Sequence, residues 1–342
     1  MNILNKLSIM LRILQTKVTR KPIPIVVHIN ITNKCNLKCS YCYGTYFDKT
    51  KKDLTTEQLF SLIDEVSTLG TNIVNLGAGE PLLRKDIEEI IDKVRSRGLE
   101  CRMNTNGHLV PKQISTIKKL NSLTISIDGD EKTHDKFKGD GSFKHVLRAI
   151  ELSKENNIHV HTSTVLTKYN VHTIDFLVEL GNKMGYFVEF LLPFFQMPDD
   201  FIASEEEYRT ALTKIIAYKE RGYPIFFSEK VHKYALEWPD YTQKSYWDSV
   251  PNGFKPITCF AGRNMCIIDS DGTVYPCSQM IGSYPGLNFL EHGFKKSWNH
   301  LWNHGCKTCY AFICFNEYNL LMNFDPSIIW NQVKNSLNIK YQ

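Results

Sequence analysis

The chain has 342 residues, 42% hydrophobic and 23% charged, with a formal net charge of +5. That length suits one large domain or two smaller ones, and so mild a charge, with no long Lys/Arg block, excludes nucleic acid as an expected partner. No apolar run is long enough to span a bilayer and no cleavable leader is evident, so the expected compartment is the cytoplasm.

Residues 1–24 open the chain with "NILNKLSIMLRILQTKV", in which Ile3, Leu4, Leu7, Met10, Leu11, Leu14 and Val18 recur at helical spacing. Residues 1–47 contain no Asp or Glu, while Lys6, Arg12, Lys17, Arg20, Lys21, Lys34 and Lys38 are basic. Such a helix can lie in a membrane interface, giving peripheral contact through residues 1–20, or cap the bottom of the domain behind it; the cap is preferred.

Over residues 25–222, β-branched runs alternate with amphipathic stretches, which predicts an α/β fold with a parallel sheet. Strands are expected at "IVVHIN", "NIVNLG", "ECRMN", "LTISID", "HVHTSTV" and "FVEFLL", with helices beginning near Thr55, Lys85, Pro111, Ser142, His172 and Ser204. Six such units make a partial (β/α)6 TIM-type barrel. Strand alternation puts His28, Asn30, Asn75, Gly77, Arg102, Asn104, Thr124, Ser126, Asp128, His159, His161, Ser163 and Glu189 on one face, a lumen polar enough to hold a solvated ligand. His159, His161 and Glu189 are candidates for an acid or base, and none stands out.

Residues 223–255 form an aromatic-rich connector, residues 256–325 a small cysteine-rich domain, and residues 326–342 a tail. Nine of the ten cysteines fall in two clusters, a pattern that in a large cytosolic chain indicates metal rather than disulfides. Cys101, standing alone, reads as a buried inert thiol. Cys35, Cys39 and Cys42 follow the first strand, where barrels keep their chemistry. Structural zinc normally takes four ligands, whereas three thiolates on a 4Fe-4S cubane leave one iron open for a ligand.

"CNLKCSYCY" resembles the signature of the radical S-adenosylmethionine (AdoMet) superfamily, in which the methionyl amine and carboxylate chelate that open iron. The resemblance places Tyr41 near adenine. "NLGAGEPLL" resembles the GGEP motif, with Ala78 in place of the first glycine, so that Gly79 and Glu80 would hold the AdoMet amine. "NTNG" and "TISIDG" resemble later strand ends that line the cofactor, implying Asn104, Asn106 and Ser126 as contacts, and Lys138 stands where arginine is frequent. The remaining cysteines, Cys259, Cys266, Cys277, Cys306, Cys309 and Cys314, resemble a SPASM or Twitch extension that lacks its last two thiols. Either four of them bind one auxiliary Fe-S cluster with two to spare, or two clusters take three each; a zinc module is the plainer alternative. The resemblance implies an enzyme that cleaves AdoMet to a 5'-deoxyadenosyl radical and oxidises or couples a peptide, lipid or sugar, with flavodoxin or ferredoxin as electron donor. The rival from another class is a non-catalytic zinc or iron-sulfur binding protein on a degenerate barrel.

Overall fold

The computed structural model describes residues 3–42, 44, 52–193, 195–247, 249–311 and 313–341. Helix α1 (Ile3–Thr19) leads into strand β1 (Val26–Asn30). There follow α2 (Thr56–Thr68), β2 (Ile73–Gly77), α3 (Ile87–Ser96), β3 (Glu100–Thr105), α4 (Ile114–Ile117), β4 (Ser122–Ser126), α5 (Glu131–Lys138), α6 (Ser142–Glu155), β5 (Val160–Val165), α7 (Ile174–Met184), β6 (Phe187–Leu191) and α8 (Glu205–Glu220). Strands β1 to β6 lie where the period-two runs place them and pair in order, all parallel. Helix α2 shows how the units form: Thr55 and Gln58 close a capping box, and Leu59, Leu62, Ile63 and Val66 bury one face against the sheet, each burial worth about 1.5–3 kcal/mol.

The sheet has two unlike faces. Toward the helices, Val27, Ile29, Val74, Leu76, Met103 and Leu123 are wholly buried. On the inner face His28, Asn75, Arg102, Thr124, Ser126, Ser163 and Glu189 remain partly exposed and Asn104 is exposed. Register ties the face together: His28 pairs with Asn75 and Asn75 with Arg102, while Ser126 pairs with Ser163 and Ser163 with Glu189.

Beyond α8 come α9 (Glu229–Leu236), β7 (Ser245–Tyr246), β8 (Met265–Ile268), β9 (Thr273–Tyr275), β10 (Leu287–Asn288), α10 (Phe289–His292), α11 (Phe294–Asn299), β11 (Thr308–Cys309), α12 (Ile313–Met322) and α13 (Pro326–Leu337). Strand β8 pairs parallel with β1, Val27 opposite Cys266, and β9 and β10 continue antiparallel. The cysteine-rich segment therefore shares one nine-stranded sheet with the barrel, ordered β10-β9-β8-β1-β2-β3-β4-β5-β6. Helix α12 reaches into the lumen: Phe315 stacks on His28 at 5.3 Å, and Arg102 Nη1 donates to the Tyr318 hydroxyl at 2.9 Å.

Helix α1 caps the opposite end, burying Ile9 and Ile13. Asn72 and Asn264, which immediately precede β2 and β8, donate to Ser8 and Thr16 of this helix. Of the apolar set read from the helical spacing, Met10 packs partly against the core, but Leu7, Leu11, Leu14 and Val18 point outward. The helix is apolar on two faces, and Ile9 and Ile13 join the core cluster that also holds Ile23.

Candidate active site

The loop after β1 carries Cys35, Cys39 and Cys42 at the C-terminal end of the barrel. Its stem is fixed by Asp53, which accepts from the Thr32 hydroxyl at 2.6 Å and the Asn33 amide at 3.0 Å, and by Arg84, which donates to the Ile31 and Leu54 carbonyls. The Leu37 amide donates to Cys35 Sγ at 3.4 Å and the Cys42 amide to the Cys39 carbonyl at 3.1 Å, turning the loop back so that the thiols share one neighbourhood. Burial pushes the Cys35 and Cys39 thiols up; Glu80 and Cys42 add to this at Cys35, while Lys138 opposes it at Cys39.

Ala78 and Gly79 turn out of β2 with φ of 60° and 45°, both left-handed. A Cβ on Gly79 would stand 2.3 Å from the Lys34 carbonyl oxygen and 2.7 Å from that of Thr32, so the cysteine loop and this turn pack backbone to backbone. The Glu80 amide seals the contact, donating to Lys34 O at 2.8 Å. The Glu80 side chain is wholly buried and accepts from the Thr105 hydroxyl at 2.7 Å, the Asn106 amide at 2.8 Å and the Leu82 amide at 3.2 Å. Burial raises its pKa and these donors lower it in part. Glu80 is thus a pin between β2 and β3, with three of its acceptor positions taken by its own chain. Asn106 extends the pin to the cysteines: its Nδ2 donates to Asn36 Oδ1 at 2.9 Å and lies 3.9 Å from Cys35 Sγ.

Beyond β4, Asp128 gathers Tyr41, whose hydroxyl donates to it at 2.5 Å, and Lys138, whose ammonium lies 3.4 Å away. Lys138 also sits over the Tyr41 ring, 5.9 Å from its centroid, and Phe137 meets that ring edge-on. The ammonium that replaces an arginine is therefore committed to Asp128. Asn104 and Ser126 face the lumen without joining this network. Spacing alone did not single out Asp53, Arg84, Thr105 or Asp128 as ligands of the site's frame, although Thr105 lies inside "NTNG" and Asp128 inside "SIDG".

The six C-terminal thiols divide. Cys259, Cys277, Cys306 and Cys309 line one small cavity with Phe195, Met280, Phe315 and Asn319. There Cys306 donates to Cys259, which lowers Cys259 and raises Cys306, and burial raises Cys277. Cys266 lies apart, buried in β8 on the helix-facing side opposite Val27, and its thiol, like that of Cys101, is raised by burial. Cys314 also lies outside the cavity, on α12 near Glu189 of the lumen. Among the described residues no three thiol, imidazole or carboxylate groups converge on a point that one metal ion would fill.

In the lumen, Arg102 is held by Glu100 at 2.7 Å. His161 Nδ1 lies 3.3 Å from Glu189 Oε1, and its Nε2 lies 3.0 Å from His159 Nε2. Burial pushes Glu189 up to about 8, with Arg102 opposing, and pulls His159 and His161 down to about 3.

The model of the radical SAM superfamily matches residues 29–181, the stretch that holds the cysteine loop and the Glu80 pin. Over 298 residues the chain is 30% identical to an AdoMet-dependent heme synthase of Methanosarcina barkeri, covering 80% of this chain and 82% of that one. It is 27% identical over 293 residues to the mycofactocin maturase MftC of Mycolicibacterium smegmatis, covering 81% of this chain and 70% of that one. Two solved structures share the fold: Streptococcus suis SuiB bound to S-adenosylmethionine, with TM-score 0.64, 16% identity and coverage of 84% of this chain and 66% of SuiB, and anSMEcpe with bound AdoMet, with TM-score 0.64, 17% identity and coverage of 93% and 98%. With its sheet, its three-thiol loop and its motifs in matching order, the chain belongs to the radical SAM superfamily, whose members use a 4Fe-4S cluster and AdoMet.

Proposed function

We propose that this radical SAM enzyme oxidises a substrate held in the barrel lumen, with Cys35, Cys39 and Cys42 as ligands of the AdoMet cluster and Cys259, Cys277, Cys306 and Cys309 as ligands of one auxiliary cluster. The observation that carries the reading is the position of α12, whose Phe315 and Asn319 wall the four-thiol cavity while Tyr318 and Cys314 of the same helix face the lumen. A redox centre one helix away from the lumen suits a reaction that removes an electron as well as a hydrogen atom.

The donor sets fit the groups. Cys35 and Cys39, whose thiols are raised by burial and by neighbouring negative charge, gain most from a multivalent cation that takes them as thiolates, and Cys42 completes the three-thiol set. A cubane does not require its thiolates to converge on one point, since each binds a different iron. The second cavity presents four thiols among apolar side chains, and since no three of the described groups there converge on one point the set suits a cluster better than a single zinc ion. When bound, the cluster and AdoMet supply a 5'-deoxyadenosyl radical that abstracts a substrate hydrogen atom. This chain's residues do the rest. The Glu80 pin and Asn106 hold the Cys35 side of the loop, and the Asp128–Tyr41–Lys138 group fixes its Cys39 side. Glu189, protonated near neutral pH, and His161 offer a proton-accepting pair within the lumen once Glu189 ionises.

A peptide is the favoured substrate, because MftC is a maturase and the SuiB fold is known with a precursor peptide, SuiA. A tetrapyrrole is the second reading, favoured by the 30% identity to a heme synthase and by the match to a relative named Fe-coproporphyrin III synthase. Flavodoxin or ferredoxin would supply the reducing electron. The test is anaerobic reconstitution of the full chain and of Cys→Ala variants, with iron counting and 5'-deoxyadenosine assay in the presence of Fe-coproporphyrin III or candidate peptides. Loss of AdoMet cleavage in the Cys35, Cys39 and Cys42 variants is expected. Loss of about four irons should follow substitution of Cys277 or Cys309, and full iron retention should follow substitution of Cys266. Zinc in place of that iron would overturn the auxiliary assignment and leave the rest standing.

A further inference from the structure

Two terminal helices cover the N-terminal end of the barrel, the end opposite the cysteine loop. Helix α1 lies under β2 and β8 through Ser8 and Thr16. Helix α13 runs toward β6: Asn331 and Asn335 donate to the Phe226 carbonyl, and just beyond the helix Tyr341 donates to Asn182 at 2.8 Å and packs its ring on Phe187, the first residue of β6. Helix α1 meets the turn that leads into α13, where Lys17 Nζ sits 4.9 Å over the Phe324 ring.

Each helix buries one face and exposes an apolar stripe on the other. On α1 the exposed stripe is Leu7, Leu11, Leu14 and Val18, from 50% to 75% exposed, spaced by four, three and four residues so that all fall on one side. On α13 it is Trp330, Val333 and Leu337, at 58%, 37% and 72% exposure, while Ile328 and Asn331 are buried on the other side. Seven of the twelve large hydrophobic side chains exposed among the described residues therefore lie on these two helices. Their charge is equally one-sided. Residues 1–24 and 326–342 contain Lys6, Arg12, Lys17, Arg20, Lys21, Lys334 and Lys340 and no Asp or Glu, so these segments carry +7 while the rest of the chain carries −2.

We propose that this face docks on the surface of an anionic phospholipid bilayer, with the apolar stripes and Trp330 at the headgroup level and the lysines and arginines toward the lipid phosphates. Charge decides the occupant: a second copy would set two basic helices free of Asp and Glu against two more, whereas an anionic surface complements them. Among the described residues no helix is long and apolar enough to cross a membrane, so the contact is peripheral. It turns the cysteine loop away from the lipid, and substrate reaches the lumen from the aqueous side. The inference is independent of the substrate reading above.

The experiment is co-sedimentation of the full reconstituted chain with vesicles of phosphatidylcholine alone and of phosphatidylcholine with phosphatidylserine. Binding to the anionic vesicles, weakened at least about tenfold by high salt or by omitting phosphatidylserine, is the expected result. The double variant Leu11→Gln/Trp330→Gln, altered only at exposed positions, should lose vesicle binding while keeping 5'-deoxyadenosine formation in solution. Equal binding to neutral vesicles, or none to either, would overturn the proposal. So would a dimer, seen by light scattering, that the same double variant dissolves, because a second copy would then be the occupant.

Discussion

Ala78 carries a Cβ at φ 60°, a left-handed conformation that costs such a residue about 1–2 kcal/mol. Glycine would remove that cost and give back part of the gain as unfolded-chain entropy, so Ala78→Gly is expected to stabilise the chain by up to about 1 kcal/mol. Urea midpoints of the two proteins check it, and a destabilised variant would show that the turn needs the methyl group. Two residues on, Glu80 behaves as a structural carboxylate. Glutamine there keeps one acceptor oxygen for Thr105 and Leu82 but turns an NH2 toward the Asn106 N–H. Losing that charge-assisted bond costs roughly 1.5–3 kcal/mol, and because Asn106 also holds the Cys35 side of the loop, Glu80→Gln should weaken AdoMet binding about ten- to a hundredfold and lower iron retention together. AdoMet titration alongside iron analysis separates this from a pure affinity effect, in which iron would stay constant.

At the level of elements, helix α12 belongs to the barrel as much as to the cysteine-rich segment. Its Phe315 covers His28, its Tyr318 receives Arg102, and buried Glu317 accepts from the Ser228 hydroxyl at 2.6 Å. A chain truncated before residue 256 would leave β1 without its β8 partner and the lumen without this wall, and it should be recovered insoluble or without a cooperative thermal transition; a soluble, cooperatively folding fragment would refute the shared sheet. Six strands and their helices were legible because each strand alternates a helix-facing apolar residue with a lumen residue. The place of α12 was not, since Asn316, Glu317 and Asn319 are buried in it and dilute the apolar periodicity that marks a core helix. Cys266 shows two signals in competition: its spacing from Cys259 and Cys277 suggests a metal ligand, but its apolar neighbours in "MCII" are those of a buried strand, and packing decides. The three-thiol loop was legible outright because its chemistry is contained in eight consecutive residues. The frame around it was not, because Asp53, Arg84 and Asp128 act across the fold.

Among the described residues of the whole molecule burial lowers seven histidines, His108 and His304 and, further, five that it holds neutral: His28, His134 and His232 down to about 4, His159 and His161 to about 3. Each of the five has a folded pKa below its unfolded value, so the unfolded chain binds more protons as pH falls below 6.5, and stability is lost through the window from 6.5 toward 4. Each contributes about 1.4 kcal/mol per pH unit inside that window. His232 isolates the effect, since burial, the Ser228 carbonyl and Lys219 act on it rather than a thiol, with Nδ1 donating to that carbonyl at 2.8 Å. His232→Leu should reduce the fall in unfolding free energy between pH 6.5 and 5 by roughly that slope, and an unchanged slope would mean that this imidazole titrates normally in the fold.

The pairing of β1 with β8 also sets a timetable for synthesis. Strand β1 leaves the ribosome well before the partner on one of its sides, Met265–Ile268, which is made some 240 residues later. At about 5–20 residues per second the newborn sheet spends roughly 12–48 s with "VVHIN" as a bare hydrogen-bonding edge. During that interval the half-made sheet can pair with another nascent chain as readily as with its own missing strand. Growth conditions that slow elongation therefore lengthen the period of greatest exposure, and the yield of this enzyme should depend on chaperones that shield sheet edges before the last strands arrive.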